Sequence, residues 1–245
     1  MRPRVSQMRA PLPAFPRRLL LAAFTVAPLL ASACSRPLPA GATGAGDWTN
    51  LLPGNADAWR GYKQQSLPGG WRFDADSGIL SRVSGGGDII SNASWDGFEL
   101  ELEYRIGPGG NSGIFYRATE ETDVIYMNAT EMQILDDSLH RDGRNALTSS
   151  GSNYALYPPA ERAARPVGEW NAVRIVAVGP HVEHWLNGKK VVEYEMWSPE
   201  WTEKVKASKF AQWPAYGVAK AGHFGLQDHG DPVSFRNIRA RALHR

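Results

Sequence analysis

The 245-residue chain carries 27 basic and 25 acidic side chains, a formal balance of +2 that excludes a basic nucleic-acid face. Twenty-five glycines and 17 prolines in a chain that is 42% hydrophobic exclude a helical bundle. They favour short strands and many turns around one sizeable core.

The charge is uneven along the chain. Arg2, Arg4, Arg9, Arg17 and Arg18 fall in residues 1–33 without any acid, so 22 basic residues face 25 acidic ones in the remainder, about −3. Arg17 and Arg18 precede the apolar run LLLAAFTVAPLLASAC, which is too short and too interrupted by proline for a membrane span. It ends in Ala31-Ser32-Ala33-Cys34, similar to a bacterial lipobox, although Ala31 stands where a larger aliphatic residue is usual. Cys34 is the single cysteine and can form no internal disulfide, so lipidation is its expected role. Residues 1–33 are therefore read as a lipoprotein-type signal peptide. Residues 34–47, rich in small residues, Gly and Pro, are read as a flexible tether, and 48–245 as one domain. The expectation is an exported periplasmic or cell-surface lipoprotein, joined to the membrane by its lipid and with no nucleic-acid partner.

From residue 98 onward the pattern has period two. In FELELEYRI, Phe98, Leu100, Leu102, Tyr104 and Ile106 alternate with Glu99, Glu101, Glu103 and Arg105, as on a strand with one wet face. A Gly/Pro turn leads into a strand with Ile114 and Tyr116 on one side and Phe115 and Arg117 on the other. EMQIL, WNAVRIVAVG, HVEHWLNGKKVVEYEM, HFGLQDHG and VSFRNIRARAL continue the series, and Asn187-Gly188 marks a hairpin. Residues 137–169, polar and Pro-rich, predict long loops of the kind that often carry function. Ser198-Pro199 predicts the start of one short helix with Trp201 and Val205 on its apolar side. The expected fold is all-β, an antiparallel two-sheet jelly-roll sandwich.

Four stretches in order, GGNSGIFYR, EMQILDD, GEWNAVRIVAVGPHVEHWLNG and GLQDHGDPVSFRNI, resemble the 3-keto-disaccharide hydrolase domain family. The resemblance implies a concanavalin A-like fold whose concave sheet carries the site. It implies hydrolysis of glycosides or disaccharides whose sugar is oxidised to a ketone at C3. A non-catalytic carbohydrate-binding module of the envelope and a glucanase-like glycosidase of unmodified glycans are the alternatives.

With Met132 and Ile134 on the packed face, Glu131 and Gln133 point into the groove. The same parity places Phe115 and Arg117 there, with Asn111 at its entrance, and it groups Gln227 with His229. The expected catalytic residues are Glu131 as base, Arg117 at the oxyanion and His229 as acid, with base and acid exchangeable. Asn111, Gln133, Asp136, Tyr154 and Gln227 are the expected substrate-binding residues. Glu131, Gln133 and Asp136 share the offsets of the Glu-x-Asp-x-x-Glu strand of jelly-roll glucanases. The middle carboxylate is an amide here and the last is a methylene shorter, which disfavours a double displacement between two carboxyls about 5–5.5 Å apart. A 3-keto sugar needs less, because the ketone acidifies the C2 proton and one base then suffices. No spacing signals a metal; no cofactor is required, and a divalent cation is possible. Cys34→Ser is expected to block processing or release soluble protein, and intact mass of the wild type should show a lipidated chain beginning at Cys34.

Overall fold

A computed structural model describes residues 37–245. The expected signal peptide and Cys34 lie outside the described residues. Among the described residues, fourteen strands, one α-helix and four short 3₁₀ turns make up the fold. In chain order the strands are β1 (Gly44–Ala45), β2 (Thr49–Asn50), β3 (Trp59–Gly61), β4 (Trp71–Asp74), β5 (Ile79–Arg82), β6 (Ile89–Trp95) and β7 (Phe98–Ile106). There follow β8 (Asn111–Ala118), β9 (Thr130–Leu135), β10 (Asn171–Val178), β11 (His181–Leu186), β12 (Lys189–Glu195), β13 (Gly222–Leu226) and β14 (Val233–His244). The helix α1 (Pro199–Lys206) begins where expected: Ser198 Oγ accepts from Trp201 N and Pro199 occupies the first turn.

The strands form two antiparallel sheets, as the period-two pattern predicts. The larger runs β12-β11-β10-β7-β14-β5-β4, with β1 and β2 also paired to β14; the smaller runs β3-β6-β13-β8-β9. Their inner faces make one core. Phe98, Leu100, Leu102, Tyr104 and Ile106 of β7 meet Ile114, Met132, Ile134, Phe224 and Leu226 of the smaller sheet, with Phe98 edge-on to Phe224 at 4.8 Å. In β14, Asn237 takes a positive φ of 54° at a bulge, so Ile238 and Ala240 continue the inward face begun by Val233 and Phe235. Pairing begins earlier than expected. Gly44 and Ala45 lie in register with His244 and Leu243, so the last part of the expected 34–47 tether is sheet edge rather than free chain.

The outer face of the larger sheet is a charged ladder. Glu99, Glu101 and Glu103 of β7 pair with Arg241, Arg239 and Arg236 of β14, and Glu99 also pairs with Arg174 of β10. The Glu99 side chain is fully buried. Desolvation pushes its pKa up, but the hydrogen bonds from Arg174 and Arg241 outweigh it and leave the carboxylate below its ordinary range.

Between the sheets, Tyr116 OH lies 2.8 Å from His184 Nε2 and 2.6 Å from Tyr194 OH, while His184 Nδ1 lies 3.1 Å from Gly151 O. A carbonyl can only accept, so Nδ1 carries the proton, Nε2 accepts from Tyr116, and Tyr116 accepts from Tyr194. Burial holds the imidazole neutral and lowers its pKa to about 4. Tyr116→Phe strands buried partners on both sides and should cost roughly 1–3 kcal/mol. The urea midpoint should fall with the slope unchanged.

Candidate active site

The site lies on the outer face of the smaller sheet. Alternation in β9 sends Met132 and Ile134 inward and leaves Glu131 and Gln133 on the opposite face. The free edge of β9 is covered by the loop that follows, through Gln133 N to Ser152 O and Tyr154 N to Glu131 O, both 3.0 Å. A polar face that would otherwise be wet thus becomes the floor of a cavity. Glu131 is 6% exposed.

Gly113, opposite Gln133 on β8, makes room for the carboxyl. A Cβ at Gly113 would come within 2.1 Å of Glu131 Oε1, so only glycine allows the side chain to lie against that strand. Gln133 has two amide orientations. One donates to Thr148 O at 3.4 Å; the other donates to Ser112 O at 3.0 Å and to Glu131 Oε1 at 3.2 Å. The second has the shorter bonds and serves a buried carboxylate, so it is the better arrangement.

The cavity measures about 190 Å³ and is lined by Asp88, Asn111, Tyr126, Glu131, Gln133, Tyr154, Lys209, Phe210, Gln227, Asp228 and His229. That is below the roughly 300–1,000 Å³ of pockets for drug-sized ligands and suits one sugar ring rather than a chain. Asn111 Oδ1 and Gln227 Oε1 are buried in its wall without a hydrogen-bond partner among the described residues. Acceptors left open in this way fit the hydroxyl donors of a sugar.

Six of the eight expected residues meet here: Asn111, Glu131, Gln133, Tyr154, Gln227 and His229. Arg117 does not. It takes a positive φ of 56° at a bulge opposite Phe224, which breaks the alternation and swings the guanidinium away from the groove. Arg117 Nη2 donates to Gly179 O at 2.6 Å, Nη1 lies 3.1 Å from Met196 Sδ, and the group faces the Trp197 ring at 5.0 Å. A larger cavity of about 700 Å³ borders these partners, and its carboxylates, Asp96 and Glu195, are exposed. Asp136 is also outside the site. Its Oδ1 accepts from Ser138 N and Ser138 Oγ and its Oδ2 from Gly109 N, so it ties off the turn before β8. Phe115, expected in the groove, is fully buried beneath Ile125 and Ala129 of the loop 119–129.

Three charged residues that line the cavity were missed. Asp88 precedes β6, in a segment without a clean alternation. Asp228 is held by Arg82 at 2.6 Å and by the backbone N–H groups of Gly86 and Gly87, which leaves it a structural clamp. Lys209 stands on the 3₁₀ turn Lys209–Gln212 beyond α1, with its Nζ 4.4 Å above the Tyr154 ring. Asp88 Oδ1 accepts from Asp228 N at 2.8 Å. Burial raises the Asp88 pKa to about 6, with the Asp228 charge adding to it.

Burial dominates at Glu131 as well. It raises the pKa from an ordinary 4.5 to about 8; Lys209 pulls it down and Asp88 pushes it up. A carboxyl that gains and loses its proton near neutrality can serve as acid or base there.

A candidate cation site lies elsewhere. His181, Glu183 and Glu193 place ligand atoms within 4.8 Å of one another on β11 and β12 and could coordinate a divalent cation. Lys190 Nζ now sits 2.6 Å from Glu193 and 3.4 Å from Glu183. This cluster is on the larger sheet and is not part of the cavity.

Residues 47–241 match a family described as the 3-keto-alpha-glucoside-1,2-lyase-like domain. The chain belongs to this family. It is 37% identical to a 3-keto-disaccharide hydrolase of Bacteroides thetaiotaomicron, over 76% of this chain and 75% of that protein. A crystal structure of a protein assigned as a glycosyl hydrolase from Parabacteroides distasonis superposes with a TM-score of 0.73 at 28% identity, covering 79% of this chain and 92% of that one. A Bacillus subtilis protein with a galectin-like fold reaches 0.56 at 15% identity, covering 83% and 98%, and speaks to the fold alone. The jelly-roll reading holds, and so does membership in a family of carbohydrate-acting hydrolases. In this family member the cavity around Glu131 is the candidate active site.

The Glu131 proton has a consequence for stability. Between pH 4.5 and 8 the folded chain keeps a proton that the unfolded chain releases, so stability falls as pH rises, by up to about 1.4 kcal/mol per pH unit. Glu131→Gln removes this loss. Urea unfolding from pH 5 to 8 should show the variant gaining on the wild type as pH rises. A constant difference would mean that the carboxyl is not held protonated.

Proposed function

We propose that this pocket cleaves 3-keto-glycosides by elimination followed by hydration, with Glu131 removing the proton from C2. The observation that carries the reading is the buried Glu131 carboxyl, with a pKa of about 8, on the floor of a cavity suited to one sugar ring. The activity for which the Bacteroides relative is named supports the substrate class.

A C2 proton on an ordinary sugar is beyond the reach of any side chain. Beside a C3 ketone it becomes a C–H acid, and a carboxylate whose conjugate acid has a pKa near 8 is a stronger base than a solvated one. The electrons of the C2–H bond pass into the C2–C3 bond and onto the C3 oxygen. They return to form C1=C2 as the C1–O bond breaks, and the leaving oxygen takes a proton from His229 at the rim. Water then adds at C1, C2 is reprotonated, and the 3-keto sugar is released. Positive charge is needed at C3 while the electrons reside there. Lys209 takes over that place from Arg117. The open acceptors of Asn111 and Gln227 receive ring hydroxyls. Lipidation at Cys34 would hold the enzyme at the cell envelope, where exported glycosides are met.

Because the ionised carboxylate is the working form, kcat/KM for a 3-keto-glycoside should rise with pH and reach half its maximum near pH 8. Glu131→Gln should lower kcat by roughly two to four decades while binding persists. Product formed in deuterated water should carry deuterium at C2. Equal cleavage of the unoxidised glycoside would refute the mechanism.

A further inference from the structure

Lys209 is set apart from its neighbours by its surroundings. Lys189, Lys190 and Lys206 each pair with a glutamate. No ion pair joins Lys209 to a carboxylate among the described residues. Its amine lies 4.4 Å from the Tyr154 ring centroid and 5.4 Å from that of Phe210. The turn that carries it is well anchored. Ser208 Oγ accepts from Phe210 N at 3.1 Å, and the buried Phe210 ring stacks on Tyr216 at 3.8 Å. Lys209 is exposed as a residue, yet it lines the wall of the cavity that holds Glu131 and its amine is partly withdrawn from water. That desolvation lowers its pKa, against the opposing pull of Glu131 and Asp142. A lysine amine partly withdrawn from water has a larger neutral fraction than a solvated one, and a ketone is a suitable electrophile for it.

We propose that Lys209 acts covalently, its amine condensing with the C3 ketone of the bound sugar so that the iminium receives the C2 electrons. This rests on the reading of the cavity as a 3-keto-glycoside site. Nζ, having lost one proton to solvent, bonds to C3. The C3 oxygen takes back a proton from solvent and leaves as water, so that a protonated C=N bond remains. Glu131 takes the C2 proton, C2=C3 forms, and the C=N electron pair moves onto nitrogen. The enamine then expels the C1 oxygen, which is protonated as it leaves, and C1=C2 forms as the iminium returns. Water adds across C1=C2. A second water hydrolyses the iminium and frees Lys209 and the 3-keto sugar. No oxidant or reductant is consumed.

The probe is the 3-keto derivative of methyl α-glucoside, incubated with cyanoborohydride, which reduces iminium ions in preference to ketones. The wild type should lose activity as one sugar becomes fixed to Lys209, located by peptide mass mapping. Glu131→Gln should accumulate the same adduct, because the condensation precedes the step it blocks. Lys209→Arg keeps the charge but cannot condense; it should form no adduct there, and turnover should fall at least a hundredfold. Turnover by the wild type with no adduct on Lys209, or Lys209→Arg within about threefold of the wild type, would overturn the covalent role and leave the elimination reading standing. Failure of the wild type to cleave the 3-keto substrate while folded would overturn both.

Discussion

A carboxyl group pressed against bare backbone is the constraint on which this site depends. Glu131 lies where Gly113 has no side chain, under a loop that pairs with the free edge of its own strand, and water is largely excluded from it. Taking a carboxylate out of water favours the neutral form, and neither Lys209 nor Gln133 restores what hydration supplied. Two other buried ionisable groups of the sandwich are paired where Glu131 is not. The larger sheet pairs its buried Glu99 with two arginines, and the buried His184 finds a partner for each ring nitrogen.

The two sheets divide the labour accordingly. The larger one has an outer face of paired charges and an inner apolar face, an arrangement that stabilises without reacting. The smaller one has its outer face roofed by three segments distant in sequence: the loop 119–129, the loop around Tyr154, and the turn bearing Lys209. Each brings something the strands lack. The first covers Phe115, the second supplies an aromatic ring, and the third supplies a cation. The strands set the floor by parity, and the loops set the volume.

The legible parts of the molecule were those governed by local periodicity. The strand series from β7 onward, the Asn187-Gly188 hairpin and the capped start of α1 all follow from nearest-neighbour physics. The placement of Glu131 and Gln133 opposite Met132 and Ile134 follows from the same alternation. Arg117 was misplaced because the parity argument assumes an unbroken strand, and a single positive φ reverses it. Nothing in GIFYRA marks that bulge, since its cause is the register against β13. Asp136 has offsets that suggest catalysis, but its oxygens are spent on the turn around it. Lys209 and Asp88 were invisible for another reason: each reaches the cavity through tertiary packing, and neither sits in a pattern of its own.

The position of β14 has a consequence for how the chain comes to be folded. This strand, residues 233–244, lies inside the larger sheet with β7 on one side and β5, β2 and β1 on the other. Its partners β7, β5, β2 and β1 precede it by well over a hundred residues, and the two flanks of the sheet pair only through it. A nascent chain still lacking this strand has the two halves of its sheet and no seam to join them. Assembly must therefore wait until the strand has emerged, and closing such long loops makes it slow compared with a helical protein of the same length. Until then the earlier strands expose unpaired edges, a template for association between chains. Synthesis thus passes through an interval in which the protein depends on being kept apart from its own copies.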